Sequence, residues 1–539
     1  MADIKAQRPA APQGNPYMPS TPGGPLIMEM FEGIDTTTTR AGVDDKEMWW
    51  CDSFMPLGPQ RKLRTMYGKG SVVYTAPAGT TISFFDFYNI GATAFSVVFL
   101  SNGSVQQVNT ATNAVTQIAP AGTIVNPSRK GVGVAQRGST YLLIIAQQTN
   151  GYYIWDGTTL YSPGGGAPDG GTMPTGIGGT AIETYAGRIW IANGATITFS
   201  VPGSLHDFSS GNGGGNFTST DSFLRVGFVA LIQTNGFLYL VADSSVNYIS
   251  GVQTSGSPPT TTFTNQNADP EIGTSWPGTV DVFSRNILFA NPFGAHVIYG
   301  GAVTKISDKL DGVYASVANF GSFVPSAAKA IIFGKKCWLL LIPIIDPITG
   351  QQVNKLFCWN GKIWWAASQD LTLQYVQHQE INSVLTAWGT DGNALSPLFQ
   401  QPSTAFTKTV QSKLWDKPNG YWEEKATSRF WAVTQYYSQL SPQLTVAIDN
   451  EVLSNTSALS IGPLNATWFT AAEITAIWQT VSSGAATWQI AGGSSLTVAP
   501  VEAITQNGNF IGMTISTQAA DMALVSAATA IDDVVQYRG

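Results

Sequence analysis

The chain has 539 residues, 27 of them Lys or Arg and 34 Asp or Glu, so it carries a net charge of −7 and only 11% of its residues are charged. A surface so poor in cations excludes a protein that grips nucleic acid or an anionic membrane by electrostatics. The 56 glycines and 16 tryptophans, with abundant Ser, Thr, Asn and Gln, point instead to a β-rich chain, either extracellular or buried in a permanent assembly where ionised groups would have to be desolvated.

Residues Met1 to Pro25 are rich in Pro, Gly, Ala and Gln and contain no apolar run of signal-peptide length. Residues 1–30 are therefore expected to form an extended arm that becomes ordered where something covers it, a subunit contact being the natural candidate. No apolar run anywhere reaches about 18 residues, so the expectation is manufacture in a cytoplasm and no membrane insertion. Residues 31–80 form a more charged lead-in, with Trp49, Trp50, Phe54 and Met55 among Arg40, Asp44, Asp45, Lys46, Arg61, Lys62 and Arg64. This segment is expected to run into a first blade starting near Ser71-Val72-Val73-Tyr74.

Across residues 81–399 a turn followed by an aromatic or aliphatic strand recurs about every 50 residues, the signature of stacked or radial repeats. The copies are Thr140–Ile144, Arg188–Ala192, Phe237–Val241, Asn286–Ala290 and Cys337–Leu341, with weaker ones at Phe95–Phe99 and Asn382–Thr386. About 50 residues accommodate one four-stranded antiparallel sheet, which needs neighbours to bury its faces. The fold class is thus all-β, a β-propeller of about six or seven blades with an extended N-terminal arm and a C-terminal β-rich domain. The turns at Trp155-Asp156-Gly157 and Trp359-Asn360-Gly361 read as type I′ hairpins within blades. Pro163 to Gly179 and Gly203 to Asn216 read as Gly-rich loops, and neither ends as a phosphate loop does. Residues 400–539 read as a second, mostly β domain for assembly contacts, with a helix expected near Ala471 to Thr480.

Little in the chain points to chemistry. Its histidines, His206, His296 and His378, fall in different blades, which suits structural roles better than a metal site. Cys51, Cys337 and Cys358 are odd in number and have no CxxC spacing, arguing against disulfides and zinc. Asp308, Asp311 and Gly312 do not match a calcium loop. Asp156, Glu183, Asp281 and Asp308 are the acids that could serve as a glycosidase pair, although each also suits a turn or cap. Trp155, Trp190 and Trp359 are candidates for a sugar-binding platform. The Asn-x-Ser/Thr triplets at Asn102, Asn216, Asn455 and Asn465 read as chance matches. No cofactor, no catalytic residue and no metal ligand is expected.

Two phrases carry a family resemblance. The first is Gly33-Ile34-Asp35-Thr36, Arg40, Asp44-Asp45, Trp49 to Pro56, Leu63-Arg64 and Gly68. The second is Phe293 to Gly301 with Lys305-Ile306-Ser307-Asp308. Together with the blade spacing they resemble the tail nozzle proteins of short-tailed bacteriophages over about Glu32 to Trp431, with Asp35 and Asp52-Ser53 as departures where Asn and Glu-Asn are common. The resemblance implies a non-enzymatic virion protein, made in the host bacterial cytoplasm and located in the tail, that forms a hexamer below the head-to-tail adaptor of the portal. Its ring extends the DNA ejection channel and supports tail fibres or spikes. Double-stranded DNA would pass through without sequence-specific binding, which a net-negative subunit suits. The alternative is a carbohydrate-binding or polysaccharide-degrading propeller.

Overall fold

The computed structural model describes residues 23–437 apart from short stretches at 59–61, 91–92, 126, 150, 220–226, 300, 318–322 and 417–424. Beyond these it describes 443–449, 454–460 and 507–533, and short strands at 478–479, 485–486 and 496–498. The expected arm before Gly23 lies outside the described residues, as does most of the helix expected near Ala471, where Trp478–Gln479 is a strand.

Seven four-stranded blades follow one another, six as separate sheets and one within a larger sheet. Blade 1 is Ile82–Ile90, Thr93–Leu100, Val105–Asn109 and Val115–Ala119; blade 2 is Val132–Arg137, Thr140–Gln147, Gly151–Trp155 and Leu160–Tyr161. Blade 3 is Ala181–Tyr185, Arg188–Asn193, Thr196–Phe199 and Gly215–Thr218; blade 4 is Phe228–Thr234, Phe237–Ala242, Val246–Ser255 and Thr260–Asp269. Blade 5 is Asp281–Phe283, Asn286–Asn291, Gly294–Tyr299 and Ala302–Lys305; blade 6 is Ser326–Ile332, Lys335–Ile345, Gln352–Trp359 and Trp364–Ala367. Blade 7 takes Tyr375–Ile381, Val384–Thr390 and Ala394–Pro397 from its own stretch of chain and its outer strand, Tyr74–Thr75, from the lead-in. From blade 2 to blade 7 the first strands of successive blades pack side by side, that of blade 7 packs on the first strand of blade 1, and the latter meets the second strand of blade 2, closing a ring. This is a seven-bladed β-propeller.

Each sequence repeat lands on the second strand of a blade. The turns before them are two residues long, and in five blades both central residues have positive φ: Ala186-Gly187, Asn235-Gly236, Ser284-Arg285, Phe333-Gly334 and Asn382-Ser383. That is the type I′ geometry whose twist matches a hairpin. The hairpins at Asp156 and Asn360 differ from expectation. Trp155 pairs with Leu160 and Trp359 with Trp364, so these loops have four residues, with Asp156 and Asn360 accepting N–H bonds two and three positions on.

The lead-in does not start blade 1. Trp50–Asp52 adds to the outer edge of blade 6, and Lys408–Trp415, Ile511–Thr517, Gln443–Asp449 and Ser454–Ser460 continue from it, making one sheet of nine strands. A second sheet is built on Met522–Asp533. One side of that strand pairs with Lys425–Tyr436, the other with Gly23–Met28 and Leu63–Thr65, the last of which hairpins with Phe54–Pro56. Among the described residues of 400–539, the strands of these two large sheets share them with N-terminal strands. The blade 6 strand shows why this happens. From Cys337 to Ile344 every residue is buried, the near-continuous apolar run of a strand covered on both faces. One core links Trp50 and Phe54 through Trp338 and Trp365 to Met513 and Ile531.

Candidate functional site

The first phrase of the resemblance meets the residues that directly follow the second. Thr36 N–H and Oγ1–H both donate to the carbonyl of Lys309, at 2.8 and 3.2 Å, and Val313 N–H donates to Thr36 Oγ1 at 3.3 Å. Lys309 Nζ donates to Asp35 at 2.6 Å and to Glu47 at 3.0 Å. Burial pushes the Asp35 carboxyl up, but the Lys309 ammonium and the Thr37 donors outweigh it and hold the group at about 2. Gly312 sits so tightly on this joint that a Cβ there would lie 2.0 Å from the Thr36 carbonyl oxygen. Alongside, Ile34 N–H donates to Trp364 O and Trp364 Nε1–H donates to Ile306 O.

The rest of the first phrase ties the same body together. Arg40 Nε donates to Ser412 O at 2.8 Å, and Lys413 pairs with Asp45 at 2.8 Å. Asp52 accepts from Lys355 at 2.6 Å, and Lys355 also faces Asp346 at 3.3 Å. Arg64 forks onto Asp521 with both distances 3.1 Å, while its guanidinium lies 4.0 Å from the Phe333 ring centroid. Such bidentate geometry fixes orientation as well as charge. Cys51, Cys337 and Cys358 are free and buried beside this joint, where burial pushes their thiols up.

A second constellation lies in the propeller's central channel, where the first strands of the blades converge on a cavity of about 310 Å³. Asp86, Lys130, Asp281, Gln377 and His378 line it, with Glu183 and Lys329 on neighbouring first strands. Lys329 Nζ is 3.2 Å from Asp281 and donates to Val282 O, whereas His378 Nδ1 stands 3.6 Å from Asp281, too far for a hydrogen bond. Burial pushes Glu183 up to about 7 and Asp86 up to about 6, against the pull of Lys130 and a backbone N–H on each. Asp281 goes the other way: burial raises it, but His378, Lys329 and Lys130 more than compensate. His378 is brought down to about 4 by burial, so near neutrality it is uncharged.

Of the acids singled out in the sequence, Glu183 and Asp281 thus face the channel. Asp156 and Asp308 do not: Asp156 closes its loop by accepting from Thr158, Thr159 and Tyr161, and Asp308 opens a short 3₁₀ turn at the surface. His206 binds Asp169 at 2.8 Å and so pins the two Gly-rich loops together, and His296 is buried against the Phe289 ring. Among the described residues no group of His, Cys, Asp and Glu is arranged to hold a metal. Sequence reasoning missed Asp86, Lys130 and Lys329. One signal was available, since positions 183, 281, 329 and 377 are all polar and recur with the blade period.

A depression of about 1140 Å³ forms a groove between blades 5 and 6 and the lead-in. Phe283 and Asn286 come from blade 5, Lys335, Lys336 and Trp359 to Trp364 from blade 6, and Met30 and Phe31 from the lead-in. Trp359 is half-buried, stacked on Trp364 at 6.0 Å and 5.8 Å from Phe283, over which Lys336 Nζ sits at 5.3 Å. Of the candidate sugar platforms, Trp155 and Trp190 are core residues with their indole N–H groups bonded internally, and Trp359 alone opens on a groove.

No protein-family model and no curated protein matches this chain. Several solved structures are distantly similar to it. BBS1N in complex with ARL6DN is 8% identical, with TM-score 0.37, covering 62% of this chain and 96% of that one. The WD40 repeats of RRP9 are 8% identical, with TM-score 0.34, covering 61% and 100%. The extracellular domain of a one-component system from B. thetaiotaomicron is 10% identical, with TM-score 0.38, covering 85% and 63%.

Proposed function

We propose that this chain is a structural subunit of a short-tailed phage tail, the nozzle ring below the head-to-tail adaptor. The observation that carries the reading is the joint. Two phrases by which this chain resembles the nozzle proteins, Gly33–Thr36 and Lys305–Asp308, lie far apart in sequence, yet Asp35 and Thr36 of the first bond Lys309, the residue that follows the second. Around that joint the lead-in, the propeller and the C-terminal strands share sheets and one core, as a subunit that must bear load without shearing requires. The first strands of the propeller converge on a cavity of about 310 Å³, so in this reading DNA runs along the axis of a ring of subunits and not through a single propeller. The chain acts without catalysis, and in the channel the Lys329–Asp281 pair serves to hold blades 5 and 6 together.

Cryo-electron microscopy of the intact particle tests this. Six copies around an axial channel beneath the portal are expected, and absence from the tail axis would remove the reading. A second reading, carbohydrate binding, is favoured by Trp359 at the groove. It predicts that glycan-array signal falls with Trp359→Ala.

A further inference from the structure

The N-terminal sequence and the groove between blades 5 and 6 are chemically matched. Prolines stand at Pro9 and Pro12, then at every third position as Pro16, Pro19, Pro22 and Pro25. A polyproline II helix has about three residues per turn and no internal hydrogen bonds, so this spacing sets the rings along one ridge and leaves the carbonyls as free acceptors. Between Pro9 and Pro25 no residue is charged. Segments of this kind bind in grooves walled by aromatic rings. The groove offers such walls in Trp359 and Phe283, and a rim of donors in Lys335, Lys336, Asn360 and Lys362.

Topology says which copy supplies the segment. Met30 and Phe31 reach the groove, but the strand Gly23–Met28 interposes about 20 Å of extended chain before the proline-rich stretch begins. A return to the same groove requires the chain to reverse over that distance, whereas a segment supplied by another copy does not. We propose that the groove receives Pro9 to Pro22 of a neighbouring copy as a polyproline II ligand. This deepens the ring-forming reading above and rests on it for the presence of the neighbour.

The test is a fluorescein-labelled synthetic peptide of residues 7–22, titrated into the full chain and followed by fluorescence anisotropy. Saturable binding is expected, weakened about tenfold or more by Trp359→Ala in the protein or by Ala at Pro16, Pro19 and Pro22 in the peptide. Should Trp359→Ala not fold, Asn286→Trp, which fills the groove from its other wall, is expected to block binding in the same way. Absence of saturable binding, or binding indifferent to the groove variant, overturns the proposal. The result is separable from the nozzle reading. Groove-dependent binding with no ring in the particle would keep the docking and remove the nozzle, and a ring whose subunits ignore the peptide would do the reverse.

Discussion

Replacing Lys355 with Met tests whether the ion triad at the edge of blade 6 pins the lead-in. The ammonium stands 2.6 Å from Asp52 and 3.3 Å from Asp346, and the three side chains are 10%, 12% and 9% exposed. At an effective dielectric of about 20, these separations correspond to attractions of roughly 6 and 5 kcal/mol. Desolvating three ions offsets most of that, so the triad adds little net stability while intact. Removing only the ammonium leaves two carboxylates facing each other without a counterion, and Lys355→Met is expected to lose about 3–5 kcal/mol at neutral pH. Burial lowers the Lys355 ammonium, but Asp52 and Asp346 outweigh it and raise the group above its ordinary value. Its contribution is therefore complete below the ordinary lysine range and disappears as pH rises through the raised value. Urea unfolding followed by tryptophan fluorescence reads the change, since Trp50 and Trp365 flank the triad in the same sheet. The triple variant Asp52→Asn, Lys355→Met, Asp346→Asn is expected to recover most of the loss. If Lys355→Met costs less than about 1 kcal/mol, or the triple variant is no more stable than the single one, the reasoning is wrong.

In the channel, Glu183→Gln is expected to stabilise the protein. Burial raises the folded-state carboxyl to about 7, so its cost is absent below the unfolded value, grows as pH rises and is full above about 7. The gain is expected on the order of 1–3 kcal/mol at pH about 8 and none at pH about 4, and thermal melts at the two pH values check it. At the joint, Gly312→Ala places a methyl against the Thr36 carbonyl, where backbone on both sides must move. A loss of roughly 2 kcal/mol or more is expected, with hydrogen exchange rising first at Thr36 and Val313; unchanged protection at both would refute the close contact.

The ring of blades was legible because each second strand combines an apolar run with a turn that needs positive φ, a pattern local enough to survive in the sequence. The blade count was not, because the last sheet is finished by the two residues Tyr74–Thr75, which sit before the repeats and read as the start of blade 1. The same non-local pairing hid the C-terminal architecture. Nothing about Trp50–Asp52 or Leu63–Thr65 announces partners more than 350 residues later, at Gln411 and Leu524. In the channel, Glu183 and Asp281 were singled out as acids near strand ends. Asp86 and Lys329 escaped because a single polar residue on a strand reads as an outward-facing position, and Lys130 because it precedes its blade's first strand; only radial closure turns such positions of separate blades into neighbours. At Asp156 and Asn360 the aromatic-Asx-Gly triplet correctly marked hairpins, but the Asx side chain accepts two backbone N–H groups and so stabilises a four-residue loop in place of the tight turn.

Closure of blade 7 by Tyr74–Thr75 also sets a timetable for synthesis. The strand emerges from the ribosome more than 300 residues before its partner Ala394–Pro397, and at about 5–20 residues per second it waits on the order of 15–60 s. Leu63–Thr65 waits longer still for Met522–Asp533. The nascent chain therefore carries unpaired, apolar strand edges through nearly the whole of translation, and chaperone occupancy should peak before the propeller can shut.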